Sequence, residues 1–134
     1  MRRALPLLGH GPFLAINADI LCDYPLATLR ACHPAGLAHL VMVTTPAWKA
    51  TGDFELRDGA LIGRGNRSLT FAGIGVYRPE LVRDCADLRF STVPLLEAAM
   101  ARGEVTGEQH AGAWQDIGTP QRLDDARKIY SINY

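Results

Sequence analysis

Apolar residues fall into two kinds of run along this 134-residue chain, and the difference predicts its elements. Short continuous runs bounded by glycine, proline or acids read as strands, whereas apolar positions three and four apart read as helix faces. Residues 13–18 (FLAINA) are a first strand, residues 24–32 a short helix, and residues 38–45 (AHLVMVTT) a second strand apolar enough to be buried on both faces. Strand, helix, strand predicts a parallel pair with a crossover. Ahead of this unit, residues 1–8 read as the last turns of a helix, closed by Gly9 and the turn residues Gly11 and Pro12. After it, residues 46–52 are a loop, and Asp58-Gly59 between residues 54–57 and 60–63 is a short hairpin signal. Residues 69–77 (LTFAGIGVY) return as a strand whose two glycines let backbone or ligand come close, and Pro79 opens a brief helical turn.

The last third reads helix, strand, helix. A polar pair and Pro94 mark a helix start near Ser91, and Leu95, Leu96, Ala99 and Met100 then recur on one face until Gly103, the spacing of a packed core helix. Residues 113–117 form a short strand ending in Asp116, and Thr119-Pro120 supplies an N-cap and first-turn proline for a terminal helix over 121–130.

This length suits one modest domain. Fourteen basic and fourteen acidic residues cancel and form no run, so nothing in the charge pattern suits nucleic acid or an anionic membrane; small or metal-bound partners fit better. The apolar runs are strand-length and no secretory signal is recognisable, which gives a cytoplasmic reading. Cys22, Cys32 and Cys85 are odd in number and lack metal-ligand spacing, as expected of free thiols in a reducing compartment. His10, His33, His39 and His110 are scattered without the paired spacing of a zinc site.

The acids at strand ends bring in chemistry. In open α/β sheets, ligands lie outside the carboxyl ends of the strands, so Asp19 and Asp116 are aimed at the place where ligands bind. Two carboxylates about 5 Å apart repel by roughly 3 kcal/mol at an effective dielectric near 20, and a divalent cation reverses that sign. Hard oxygen ligands of this kind suit Mg²⁺. Equally, Asp19 can be a turn or capping acid and Asp116 an acid that precedes a helix N-terminus. Asp23 can hold a water near such an ion or favour the helix after it. Lys49 reads as a solvated loop lysine within reach of a phosphate. Trp114 is core packing or the floor of a pocket.

Asn17-Ala18-Asp19, Gly52-Asp53-Phe54, the stretch from Phe71 to Tyr77 (FAGIGVY) and the closing stretch from Trp114 to Pro120 (WQDIGTP) resemble, in content and order, a sugar-1-phosphate nucleotidyltransferase. The chain looks most like the members that act as uridylyltransferases on N-acetylmuramate alpha-1-phosphate in bacterial cell-wall recycling. That resemblance implies a Rossmann-like, GT-A-type α/β fold with a mixed, mostly parallel sheet flanked by helices. It implies attack by the sugar phosphate oxygen on the α-phosphorus of a nucleoside triphosphate, with pyrophosphate leaving. Asp19 and Asp116 match the acids that hold Mg²⁺ in this family; Gly52 and Gly73 lie where backbone approaches the sugar, Asn17 beside the Asp19 loop, and Thr70 beside the sugar pocket. For each glycine a turn or bulge is the alternative, for Asn17 local backbone bonding, and for Thr70 plain strand preference.

The family begins with a strand and a glycine-rich phosphate loop, and no such loop occurs in these 134 residues: Gly63-Arg64-Gly65 lies in the hairpin region instead. The chain therefore reads as a single domain over 1–134 that is the carboxyl-terminal portion of a nucleotidyltransferase, incomplete at its amino terminus. Such a sheet would leave an edge open to a partner chain or to self-association. Half of an enzyme, a silent sugar-phosphate or metal-binding module, and a GT-A glycosyltransferase are the readings this leaves.

Overall fold

The computed structural model describes residues 1–83 and 91–130, and Cys85 lies outside the described residues. The chain opens with a 3-10 turn, Arg2–Ala4, running into helix α1, Leu5–Leu8, which stops at Gly9 with φ 81°. Strand β1, Phe13–Ile16, follows, then β2, Ile20–Cys22, a 3-10 helix over Leu26–Ala31, and β3, Ala38–Val43. The hairpin β4, Phe54–Arg57, and β5, Ala60–Leu61, turns on Asp58 and Gly59, both at positive φ, as the Asp-Gly pair predicts. The ten-residue β6, Ser68–Tyr77, leads to α2, Glu80–Arg83, and α3, Val93–Ala101; then come β7, Val105–Gln109, β8, Trp114–Asp116, and α4, Pro120–Tyr130.

Six strands form one sheet in the order β1-β6-β3-β7-β5-β4, and β4 also pairs with β6, so the ladder from β6 to β4 closes on itself. Strands β1, β3, β7 and β4 run one way and β6 and β5 the other, which makes the sheet mixed with most strands in one direction. The expected neighbours, β1 and β3, are parallel but not adjacent: β6 lies between them, antiparallel to both, and the parallel hydrogen-bonded pair is β3 with β7. The crossover pattern fixed the strands' direction, while the pairing went to β6, which is long and buried enough to flank both. Strand β7 (VTGEQ) has one large apolar side chain, so its sequence carries no strand pattern even though it lies beside the central β3.

Alternation along β3 divides the core. Ala38, Leu40 and Met42 face a layer with Leu81, Val82, Leu96, Ala99 and Met100 of α2 and α3, confirming the apolar stripe of α3 as core. Val41 and Val43 face the other way, onto Tyr24, Leu29, Ala72, Ile74 and Val76, with Ile20, Cys22 and Trp114 packed against them. The second layer thus seats the small β2–β8 ribbon on the sheet, and this ribbon carries the candidate acids. Among the described residues no helix is long and apolar enough to cross a membrane.

Candidate active site

The ribbon brings the two acids together. Antiparallel pairing sets Ile20 opposite Asp116, and the Ile117 amide donates to the Asp19 carbonyl at 2.8 Å. A Cβ built on Gly118 would lie 3.0 Å from Asp19 Oδ2 and 3.1 Å from Asp116 Oδ1. One point in reach of both oxygens puts the carboxylates within about 6 Å of each other, close enough to repel and to share a cation. Gly118 also donates its amide to Asp116 Oδ1 at 2.8 Å. Its missing side chain leaves a cradle between two hard oxygen donors, which fits Mg²⁺ with phosphates or waters supplying the remaining ligands. Among the described residues no group of three acids, histidines or cysteines forms a metal cluster, so two protein carboxylates are what this cradle offers.

Asn17, Asp19, Thr70, Gly73 and Asp116 line a cleft of about 290 Å³, joined by Trp48, Lys49 and Trp114. Gly73 has φ +80°, and a Cβ there would stand 3.0 Å from the Asn17 side chain. It lies where β6 carries extra residues against β3, between the Leu40–Gly75 and Met42–Phe71 pairs, so it is a bulge glycine that also opens the cleft floor. The Asn17 amide donates to the Gly73 carbonyl at 2.8 Å and fastens the Asp19 loop to that bulge. Thr70 is buried, its hydroxyl donates to Thr45 Oγ1 at 3.2 Å, and it lines the cleft.

Gly52 is not part of this cleft. A Cβ at Gly52 would meet the Ser68 carbonyl oxygen at 2.2 Å, so the glycine accommodates the backbone of β6. It lines a separate cleft with Thr45, Gly65 and Ser68. Trp114 combines its two readings: it packs on the second core layer, donates from Nε1 to the Ala72 carbonyl at 2.9 Å, and lines the cleft. Lys49 is tethered, with Nζ 2.6 Å from Asp53 Oδ2, and the same oxygen accepts from the Phe71 amide at 2.9 Å. Asp23 is engaged by His110, whose Nε2 is 2.7 Å from its Oδ1, and the Ala113 backbone and the His110 ring hold its carboxyl below the ordinary value.

Two residues at the site escape sequence reasoning. Arg122 donates from Nη1 to Asp116 Oδ2 at 2.9 Å, and its guanidinium carbon lies 4.1 Å from the centre of the Trp48 ring. A long side chain in the first turn of a helix leans toward the N-terminus, and Asp116 lies just ahead of α4, so that position was the available signal for Arg122. For Trp48, in a loop far away in sequence, there was none.

No protein-family model matches the chain. It is 36% identical over 135 residues to an N-acetylmuramate alpha-1-phosphate uridylyltransferase of Neisseria meningitidis serogroup B, covering 95% of this chain and 58% of that protein. A protein of the same name from Caulobacter vibrioides is 29% identical over 90% of this chain and 55% of its own length. A mannose-1-phosphate guanyltransferase of Yarrowia lipolytica is 30% identical over 89% of this chain and 36% of its own length. By descent, the chain is a relative of the sugar-1-phosphate nucleotidyltransferases. It spans just over half the length of the two uridylyltransferases it matches. Among solved structures, HddC from Yersinia pseudotuberculosis superposes with a TM-score of 0.66 at 14% identity, over 96% of this chain and 60% of that one. A Bacillus anthracis structure assigned as a glucose-1-phosphate thymidylyltransferase superposes with a TM-score of 0.77 at 16% identity, over all of this chain and 62% of that one. The Rossmann-like α/β fold of the nucleotidyltransferases is thus the fold of this chain.

Proposed function

We propose that this chain carries the metal-holding and sugar-phosphate side of a uridylyltransferase site that joins UMP from UTP to N-acetylmuramate alpha-1-phosphate and releases pyrophosphate, a step of cell-wall recycling. The supporting observation is the convergence of Asp19 and Asp116 on Gly118 at the rim of the cleft lined by Asn17, Thr70 and Gly73. Asp19 and Asp116 hold Mg²⁺, which when bound neutralises charge on the reacting phosphates. The chain's own contribution is positional. The Asn17–Gly73 bond fixes the loop that carries Asp19, and the ladder between β2 and β8 fixes its distance from Asp116. Thr70 and the Gly73 bulge shape the wall where the sugar lies, and Trp114 closes the floor against water. A sugar phosphate oxygen placed there attacks the α-phosphorus of the triphosphate in line, the bond to pyrophosphate breaks, and no protein nucleophile is needed.

The glycine-rich phosphate loop is proposed to come from residues outside these 134, in agreement with the 58% of the Neisseria relative that the chain spans. Pyrophosphate release with Mg²⁺, UTP and N-acetylmuramate alpha-1-phosphate tests this, comparing the 134-residue chain with a form extended upstream by a strand and that loop. Turnover is expected from the extended form, more with UTP than with GTP, and its loss is expected in Asp19→Ala and Asp116→Ala. Unchanged turnover in those two variants would sink the assignment of the acids.

A further inference from the structure

Arg122 occupies an unusual place for an arginine at a candidate cation site. One face of its guanidinium stacks on Trp48, more than half exposed at the cleft rim, while its Nη1 pairs with Asp116 Oδ2 at 2.9 Å. Asp116 Oδ1 meanwhile accepts from Gly118 and faces the same cradle as Asp19. A guanidinium and a divalent cation on one carboxylate repel each other, so whatever strengthens one weakens the other. The stack on Trp48 holds the guanidinium at the rim when its hold on Asp116 weakens, because the attraction of a cation for an indole face does not depend on the carboxylate. A planar fork with five donors, held at the mouth of a cleft and released from its acid, suits the oxygens of a phosphate monoester. Lys49, which lines the cleft itself, is retained by Asp53, which the Phe71 amide in turn anchors.

We infer that Arg122 is a displaceable counter-ion. It holds Asp116 in place, yields that carboxylate when a divalent cation enters the cradle, and turns on the Trp48 face to bind a phosphate oxygen of the anionic substrate. Cation and phosphate binding are thereby coupled through one side chain. This inference rests on the proposal that Asp19 and Asp116 hold a divalent cation.

The test uses the 134-residue chain and needs no turnover. Free Mn²⁺ is counted by electron paramagnetic resonance to give its affinity, and tryptophan fluorescence follows the Arg122–Trp48 stack, with Trp48→Phe identifying which signal belongs to that ring. Removing the competitor in Arg122→Gln is expected to tighten Mn²⁺ by about two- to fivefold, the size of a partly exposed ion pair. The same variant is expected to bind N-acetylmuramate alpha-1-phosphate roughly tenfold more weakly in saturating Mn²⁺, as for a lost charge-assisted bond. Arg122→Lys keeps the charge without the fork, so it should leave Mn²⁺ affinity near wild type while still weakening the phosphate; circular dichroism confirms that both variants fold. Equal Mn²⁺ and phosphate affinities in wild type and Arg122→Gln would overturn the inference and leave the cation site standing. Weaker Mn²⁺ binding in Arg122→Gln would show Arg122 to be a brace for Asp116, and no Mn²⁺ binding by any form would overturn both the cation site and the inference built on it.

Discussion

Gly118 shows how a single missing side chain can define a site. Its φ is not among the positive ones, so alanine can adopt its backbone without strain; what alanine adds is a methyl group at 3.0 and 3.1 Å from the two acid oxygens. Those contacts are tighter than ordinary packing, so both carboxylates must give way by a few tenths of an ångström. In Gly118→Ala, Mn²⁺ affinity should therefore fall by about tenfold or more, the usual consequence of disturbing ligand orientation. Its unfolding free energy should stay within about 1 kcal/mol of wild type, as expected at an exposed position. Isothermal titration and urea denaturation separate the two quantities, and an unchanged affinity would show that the carboxylates do not use that space. At this scale the acids themselves were legible, because an aspartate ending an apolar run is conspicuous in any sequence. Gly52 and Gly73 were not separable, since the same residue type serves a close backbone crossing in one case and a bulge in the other. Arg122 became visible only when α4 was set beside β8.

Among elements, the β2–β8 ribbon depends on a clasp at its far end from Gly118. Asp23 follows β2 directly, and His110, just after β7, reaches its carboxylate, so the loop joining β7 to β8 is tied to the strand that follows Asp19. Gly112 makes room for this: a Cβ there would lie 2.6 Å from His110 Cε1. The Ala113 backbone first and the His110 ring second lower the pKa of Asp23 below its ordinary value. A depressed carboxyl adds stability above its unfolded pKa and loses it as pH falls through its lower folded pKa, so the clasp should fail below about pH 4. Asp23→Asn should unfold at lower urea than wild type near pH 6, and the gap between them should close as pH falls toward 3. A gap independent of pH would mean that the Asp23 charge plays no part. Strand β2 itself was hidden in the sequence because three residues, Ile20 to Cys22, cannot show a period of two. Strand β7 was hidden because tertiary pairing beside β3, and not its own apolar content, makes it a strand. The long apolar elements β3, β6 and α3 were legible for the opposite reason: their burial on both faces or along one stripe is written in their composition.

The whole molecule combines an open edge with no net charge. Strand β1 pairs with β6 on one side and ends the strand order on the other, and along or near it Ile16 and Leu8 are nearly half exposed and Leu7 almost fully exposed. Edges of this kind recruit further strands unless charge, proline or a bulge blunts them, and β1 (FLAI) has none of these. Fourteen basic residues against fourteen acidic ones leave the chain formally uncharged at pH 7, so long-range repulsion between copies is weakest there. The two features act in the same direction: at neutral pH the edge has both an opportunity to pair and nothing to hold partners off. Sedimentation velocity on the 134-residue chain should show concentration-dependent association at pH 7, diminished at pH 9 where the chain carries net negative charge. Ile16→Lys, which places a charge on the exposed end of β1 without touching the buried Phe13, should weaken that association at pH 7 while leaving the melting temperature close to wild type. The variant also distinguishes the two contributions. If pH 9 disperses the chain and Ile16→Lys does not, lack of charge alone drives association; if the variant disperses it at pH 7, the β1 edge is the contact, and the same edge is where an upstream strand of a longer chain would pair.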